Sequence, residues 1–146
     1  MDVTARLAAP CPPGVLFEVV ADLGTYPDWL DIVTKAVPAD GAPDAGDAAW
    51  SVDLRGRLGP LARSKRLRMV RTAYEAPHEV RFERREHDGR RHSPWVLRAS
   101  VVADGDTSML TMHLHYGGAL AGPVVERLLA EEIERSAPRL AALVTA

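Results

Sequence analysis

Ser108-Met109-Leu110-Thr111-Met112-His113-Leu114-His115-Tyr116 alternates polar and apolar residues, and after Gly117 and Gly118 the periodicity changes. Leu110, Met112, Leu114 and Tyr116 fall on one face of a strand, because successive side chains point to opposite sides. From Pro123 the apolar residues recur at helical spacing instead. Val124, Val125, Leu128, Leu129 and Ile133 form a stripe opposite Glu126, Arg127, Glu131 and Glu134. Pro138 predicts a kink by freeing the Glu134 carbonyl, after which Leu140, Leu143 and Val144 continue the apolar face. A helix from Pro123 to Thr145 would be about 35 Å long at 1.5 Å per residue, enough to lie across a whole sheet.

Working back toward the N-terminus, the same period-2 pattern repeats. Trp95, Leu97, Ala99 and Val101 make one face, Val80 and Phe82 another, Leu67 and Met69 another, and Trp50, Val52 and Leu54 another. Turn residues separate them: Gly59-Pro60, Ala76-Pro77, Asp88-Gly89 and Asp104-Gly105-Asp106. Ile32 to Val37 reads as one more strand, followed by a loop from Pro38 to Asp47 that is long enough to act as a lid. Strands in succession with hairpin-length gaps predict an antiparallel meander with one wet face. At the start, Val3, Ala5 and Leu7 alternate as a first strand. Val15, Leu16, Val19, Val20 and Leu23 then predict a helix from about Pro13 to Asp22, stopped by Gly24. Thr25 to Leu30 predicts a second short helical turn with Thr25 as its N-cap.

Composition narrows the class of protein. At 146 residues the chain fits one domain, 1–146, and no linker or repeat divides it. Hydrophobic residues make up 47% and charged ones 26%, a globular balance. A net charge of -2 offers no electrostatic case for nucleic acid. The single cysteine, Cys11, excludes an internal disulfide and a multi-cysteine metal site. With no signal-like N-terminus and no run of about 18 apolar residues, a cytoplasmic protein without membrane insertion is expected, as a monomer or homodimer. No glycine-rich phosphate loop is present, and no cofactor is expected.

The order of strand, two short helices, six strands and long helix resembles the START-like, polyketide cyclase/dehydrase and lipid-transport superfamily (SRPBCC). Two stretches carry the likeness. One is Leu7-Ala8-Ala9-Pro10 with Val15 to Asp22 and Tyr26-Pro27-Asp28-Trp29, and the other is Ser108 to Tyr116 with the helix that follows. The resemblance implies an α+β helix-grip fold, in which a curved antiparallel sheet of about seven strands wraps a long C-terminal helix. It also implies a cavity for a hydrophobic small molecule such as a lipid, polyketide, isoprenoid or quinone. Members include carriers, sensors and enzymes, so fold alone does not choose among them.

The candidate ligand-binding residues are those of the inward faces and the grip helix: Trp29, Trp50, Val52, Leu54, Leu67, Met69, Arg71, Phe82, Trp95, Leu97, Met112, Leu114, Tyr116, Leu128 and Leu129. Aromatase/cyclases of the superfamily place an arginine with serine or glutamine neighbours on the middle and last strands. Here the last strand reads Leu110, Met112 and Leu114, which favours binding over catalysis. The alternative is a polyketide cyclase or dehydratase in which Arg71 and Tyr116 polarise a carbonyl or enolate. A filled core would account for the apolar residues equally well. His113 and His115 share the face opposite Leu114 and read as an exposed pair, with no ligand set completing a metal site. Glu86-His87-Asp88 reads as a solvated hairpin tip, and Arg63, Arg66, Arg68, Arg81, Arg85, Arg90 and Arg91 as a solvated convex face.

Overall fold

In the computed structural model, residues 1–39, 48–57, 62–118 and 122–146 are described. The loop expected from Pro38 to Asp47 therefore lies largely outside the described residues, as does the turn at Gly59-Pro60. Seven strands form one antiparallel sheet: β1 Asp2–Ala9, β2 Val33–Pro38, β3 Ala49–Leu54, β4 Lys65–Glu75, β5 Glu79–Arg84, β6 Trp95–Asp104 and β7 Thr107–Tyr116. Their spatial order is β1-β7-β6-β5-β4-β3-β2, so β2 to β7 run as a meander and β1 closes against β7. The curled sheet holds helices α1 Pro13–Val20, α2 Pro123–Glu134 and α3 Ala137–Val144. This is the helix-grip architecture.

Alternation sets the register. Val3, Ala5, Leu7 and Ala9 are buried while Asp2, Thr4, Arg6 and Ala8 are exposed. Because Val3 sits opposite Leu114, Ala5 opposite Met112 and Leu7 opposite Leu110, the two apolar faces coincide. The β6–β7 hairpin turns at Gly105, whose φ of +61° an L side chain rarely adopts.

The segment Leu23–Asp28 forms a short 3-10 helix after α1, as the sequence led one to expect, but its cap differs. Asp22, not Thr25, is the N-cap, with its carboxylate accepting the Gly24 N–H at 2.8 Å. The Thr25 hydroxyl turns back instead and donates to the Val19 carbonyl at 2.7 Å. A hydroxyl this close to the end of α1 meets carbonyls that lack helical partners, and they compete for it.

The long C-terminal helix is interrupted near the expected proline. α2 ends at Glu134 with Arg135 as its C-cap, and Ser136 precedes α3. Pro138 lies in the first turn of α3, where its missing N–H is not needed. The Ser136 hydroxyl, buried at the break, donates to the Ile133 carbonyl.

β1 is an edge strand, and α2 covers it. Glu126 accepts the Asp2 N–H, and Glu134 accepts the Arg6 N–H at 2.9 Å. Four strand residues span about 13 Å and eight helical residues about 12 Å. The two glutamates therefore match two outward-facing N–H groups, which removes donors from the sheet edge.

Candidate functional site

Between the concave face of the sheet and the α2 helix lies a cleft of about 70 Å³. The sheet contributes Val3, Val33, Val52, Leu54, Leu67, Met69, Trp95, Leu97, Met112 and Leu114 to its walls. Leu23 and Tyr26 of the 3-10 helix, Leu30 and Ile32, and Ile133 of α2 complete them. The surface facing the cleft is entirely apolar. Tyr26 is no exception, because its hydroxyl is engaged with the Val20 carbonyl at 2.8 Å. Burial pushes that phenol far above the ordinary tyrosine range, and the charge on Asp22 adds to the shift.

Eight of the residues expected from the sequence line this cleft: Val52, Leu54, Leu67, Met69, Trp95, Leu97, Met112 and Leu114. Seven do not. Trp29, Trp50 and Phe82 instead build an aromatic plug: Trp29 packs on Tyr26 at 4.8 Å, Tyr26 meets Phe82 at 6.3 Å, and Phe82 meets Trp50 at 5.6 Å. These three rings are buried against one another and against Tyr26, outside the cleft wall, and of the four only Tyr26 borders the cleft. Trp29 is fully buried, and its Nε1 has no hydrogen-bond partner among the described residues. On α2, Leu129 is fully buried outside the cleft wall and Leu128 is partly exposed, so the helical stripe is narrower than its sequence suggests. Ile133 takes the place of both in the cleft.

Arg71 and Tyr116, the candidate pair for catalysis, also lie outside the cleft walls. The Arg71 guanidinium donates to the Ala21 carbonyl at 3.0 Å and lies 4.3 Å from the Tyr74 ring centroid and 5.8 Å from that of Trp50. The register of β4 against β5 shifts between Arg71 and Ala73, so the inward alternation of Leu67 and Met69 ends here. Tyr116 packs on Trp95 with ring centroids 4.6 Å apart and the rings tilted by 43°, and of the two only Trp95 borders the cleft. An alanine Cβ at Gly118 would fall 1.9 Å from the Tyr116 hydroxyl oxygen, so only glycine allows this approach.

Sequence reasoning missed Val3, Leu23, Tyr26, Leu30, Ile32, Val33 and Ile133 as cleft residues. Val3 carried a signal, since it belongs to the inward face of β1, and Ile133 stood in the helical stripe. Leu23 stood at the end of the first helical stripe and Ile32 at the start of a predicted strand, whereas Leu30, between helix and strand, has no periodicity to announce it.

Other clusters resolve into surface pairs. His115 Nδ1 and His113 Nε2 reach the same Asp2 oxygen at 3.0 and 3.2 Å. The hydrogen bond from His115 foremost holds the Asp2 carboxyl below its usual range. Both histidines are part-exposed, so the expected face is right, and the added element is Asp2 on the neighbouring strand. Glu86 is not at a solvated tip; it accepts from Arg84 Nε at 2.8 Å and is partly buried. Asp88 is more exposed and pairs with His92. Arg66 pairs with Asp53, and Arg81 with Glu83, on the convex face. Among the described residues no group of three or more His, Cys, Asp or Glu could hold a metal ion, and no helix is long and apolar enough to cross a membrane.

The same architecture recurs in solved structures. A START superfamily protein from Mycobacterium smegmatis is similar over 99% of this chain and 97% of its own, with a TM-score of 0.73 and 18% identity. A protein from Thermus thermophilus gives the same coverage and TM-score at 17% identity. The Zhui aromatase/cyclase from Streptomyces sp. R1128 is similar over 99% of this chain and 93% of its own, with a TM-score of 0.64 and 15% identity. At these identities the likeness is one of fold. No curated protein matches the chain. The profile of one family, described as polyketide cyclase / dehydrase and lipid transport, matches residues 1–145. With the grip fold in place and that match spanning nearly every residue, the chain belongs to the polyketide cyclase/dehydrase and lipid transport family.

Proposed function

We propose that this chain binds a small hydrophobic molecule in the cleft and acts as a carrier or sensor, without transforming it. The observation that carries this reading is the cleft wall, which runs across six strands and a helix without presenting polar surface. General acid–base or electrophilic catalysis needs a polar group within hydrogen-bond reach of the reacting atoms. Arg71 and Tyr116, the two residues that a cyclase reading would use, are outside the cleft lining, Arg71 bonded to the Ala21 carbonyl and Tyr116 packed on Trp95.

The cleft of about 70 Å³ is narrow, whereas drug-sized ligands occupy at least about 300 Å³. An occupant therefore enters by displacing side chains, and Met69 and Met112, with three flexible bonds each, yield most readily. Titration with a neutral apolar fluorophore such as N-phenyl-1-naphthylamine tests the reading. Micromolar binding is expected, together with its loss in Leu114→Trp, which fills the cleft from a half-buried position. Absence of binding to the wild-type protein at saturating probe would overturn it.

A further inference from the structure

A second concavity adjoins the cleft and has the opposite chemistry. Arg55 and Arg57 beyond β3, Arg135 at the end of α2 and Arg139 of α3 line a groove of about 480 Å³ together with Asp31 and Glu132. Four guanidinium groups face two carboxylates here, in a chain whose overall charge is -2. Asp31 is already engaged, since Arg139 Nη1 donates to it at 2.5 Å. For Arg55, Arg57 and Arg135 no ion-pair partner is found among the described residues, although Glu132 shares the groove.

The groove and the cleft lie side by side. Leu30 and Ile32 are walls of both. The chain also steps from one to the other within one residue at two points: Leu54 lines the cleft and Arg55 the groove, and Ile133 lines the cleft and Glu132 the groove. The Arg55 N–H donates to the Ile32 carbonyl at 2.9 Å, which ties the arginine segment to the shared wall. An apolar slot thus lies directly beside a cationic mouth.

We infer that this mouth takes the oxyanion head, carboxylate or phosphate, of a single-chain amphiphile whose alkyl chain occupies the cleft. The inference rests on the ligand-binding reading above. Guanidinium forks match both oxyanions and are weakly hydrated, so they form charge-assisted hydrogen bonds at modest desolvation cost. Apolar walls discriminate poorly between chains of similar size. The charged mouth supplies what the cleft lacks, a fixed orientation with the head outward and the tail inward.

Calorimetric titration with octanoate, octyl phosphate and octanol tests this, because the tail is constant and only the head changes. At low salt, octanoate or octyl phosphate should bind at least about tenfold tighter than octanol. In the Arg55→Gln/Arg135→Gln double variant, and in about 0.5 M salt, that preference should fall to about threefold or less with octanol binding unchanged. Whichever of the two anionic heads binds more tightly identifies the oxyanion. Acetate and inorganic phosphate, heads without tails, should bind at least about tenfold more weakly than the octyl compounds. Octanol binding as tightly as both anions would overturn this inference and leave the cleft reading standing. Inorganic phosphate binding as tightly as octyl phosphate would overturn it too, as a free-anion site. No binding by any octyl compound would overturn both readings. Both arginines replaced are exposed, and an unchanged unfolding midpoint verifies that the double variant folds.

Discussion

The guanidinium of Arg71 donates to the Ala21 carbonyl at 3.0 Å, joining positions 50 residues apart in the chain. It completes a set of three. The Thr25 hydroxyl takes the Val19 carbonyl, the Tyr26 hydroxyl takes the Val20 carbonyl, and Arg71 takes Ala21. A helix leaves its last carbonyls without internal partners, and its C-terminus carries partial negative charge. Three side chains answer both needs, one of them cationic. The turn containing Tyr26-Pro27-Asp28-Trp29 therefore closes α1 and seats the aromatic plug in one step.

Arg71 is accordingly expected to serve stability. Arg71→Ala should lower the unfolding free energy by about 1–3 kcal/mol, the cost of leaving a part-buried carbonyl without its charged donor. Urea denaturation measures this. Affinity for a neutral apolar probe should stay within about twofold, because Arg71 is not part of the cleft wall; a change beyond about tenfold, worth 1.4 kcal/mol, would place it in the site.

Tyr26 predicts a pH dependence. Its folded pKa lies well above the ordinary value of 10.0 because burial disfavours the phenolate. Above pH 10 the unfolded chain therefore gives up this proton while the folded chain keeps it. The stabilising contribution is complete below pH 10 and is lost as pH rises beyond it, at about 1.4 kcal/mol per pH unit. Comparing urea unfolding of wild type and Tyr26→Phe between pH 9 and about pH 11 isolates the effect. Tyr26→Phe should be less stable by about 1–3 kcal/mol at neutral pH, from the orphaned Val20 carbonyl, and its stability should fall less steeply in alkali. Equal slopes would contradict the burial of this hydroxyl.

Gly118 predicts a route from a loop to the cleft wall. An alanine Cβ would lie 1.9 Å from the Tyr116 oxygen and 2.1 Å from the ring carbon that bears it, so the ring must move. Tyr116 stacks on Trp95, and Trp95 faces the cleft. Gly118→Ala should cost about 1–3 kcal/mol through overpacking. It should also shift tryptophan fluorescence and weaken apolar-probe binding. An unaltered spectrum with unaltered affinity would show that the ring is not held as described.

Glu126 and Glu134 predict a solubility effect. Their carboxylates cover the N–H groups of Asp2 and Arg6 on the free edge of β1. The Glu126→Ala/Glu134→Ala variant should show concentration-dependent association by light scattering, because an uncovered edge offers donors to another chain. Scattering identical to wild type at all concentrations would remove this role.

Much of the architecture was legible in local pattern. The alternation Leu110-x-Met112-x-Leu114-x-Tyr116, the matching Val3-x-Ala5-x-Leu7 and the helical stripe kinked at Pro138 placed strands, faces and the helix break within a few residues of where they lie. Side-chain direction in a strand follows backbone geometry alone, so nearest neighbours in sequence suffice to assign a face. What a face meets is another matter. Phe82 and Met69 both point inward, yet Phe82 fills the plug against Tyr26 and Trp50 while Met69 borders open space. The curl of the sheet and the path of the segment from Leu23 to Ile32 decided that difference, over distances no window of sequence spans. Arg71 likewise stood among the candidate ligand-binding residues, and only the fold sets the Ala21 carbonyl beside it. Arg55 and Arg57 lie about 80 residues from Arg135 and Arg139 in the chain, and the fold alone gathers the two pairs at one mouth. Periodicity is written in bonds between neighbours, whereas a cavity and its charge are set by which remote elements the chain brings face to face.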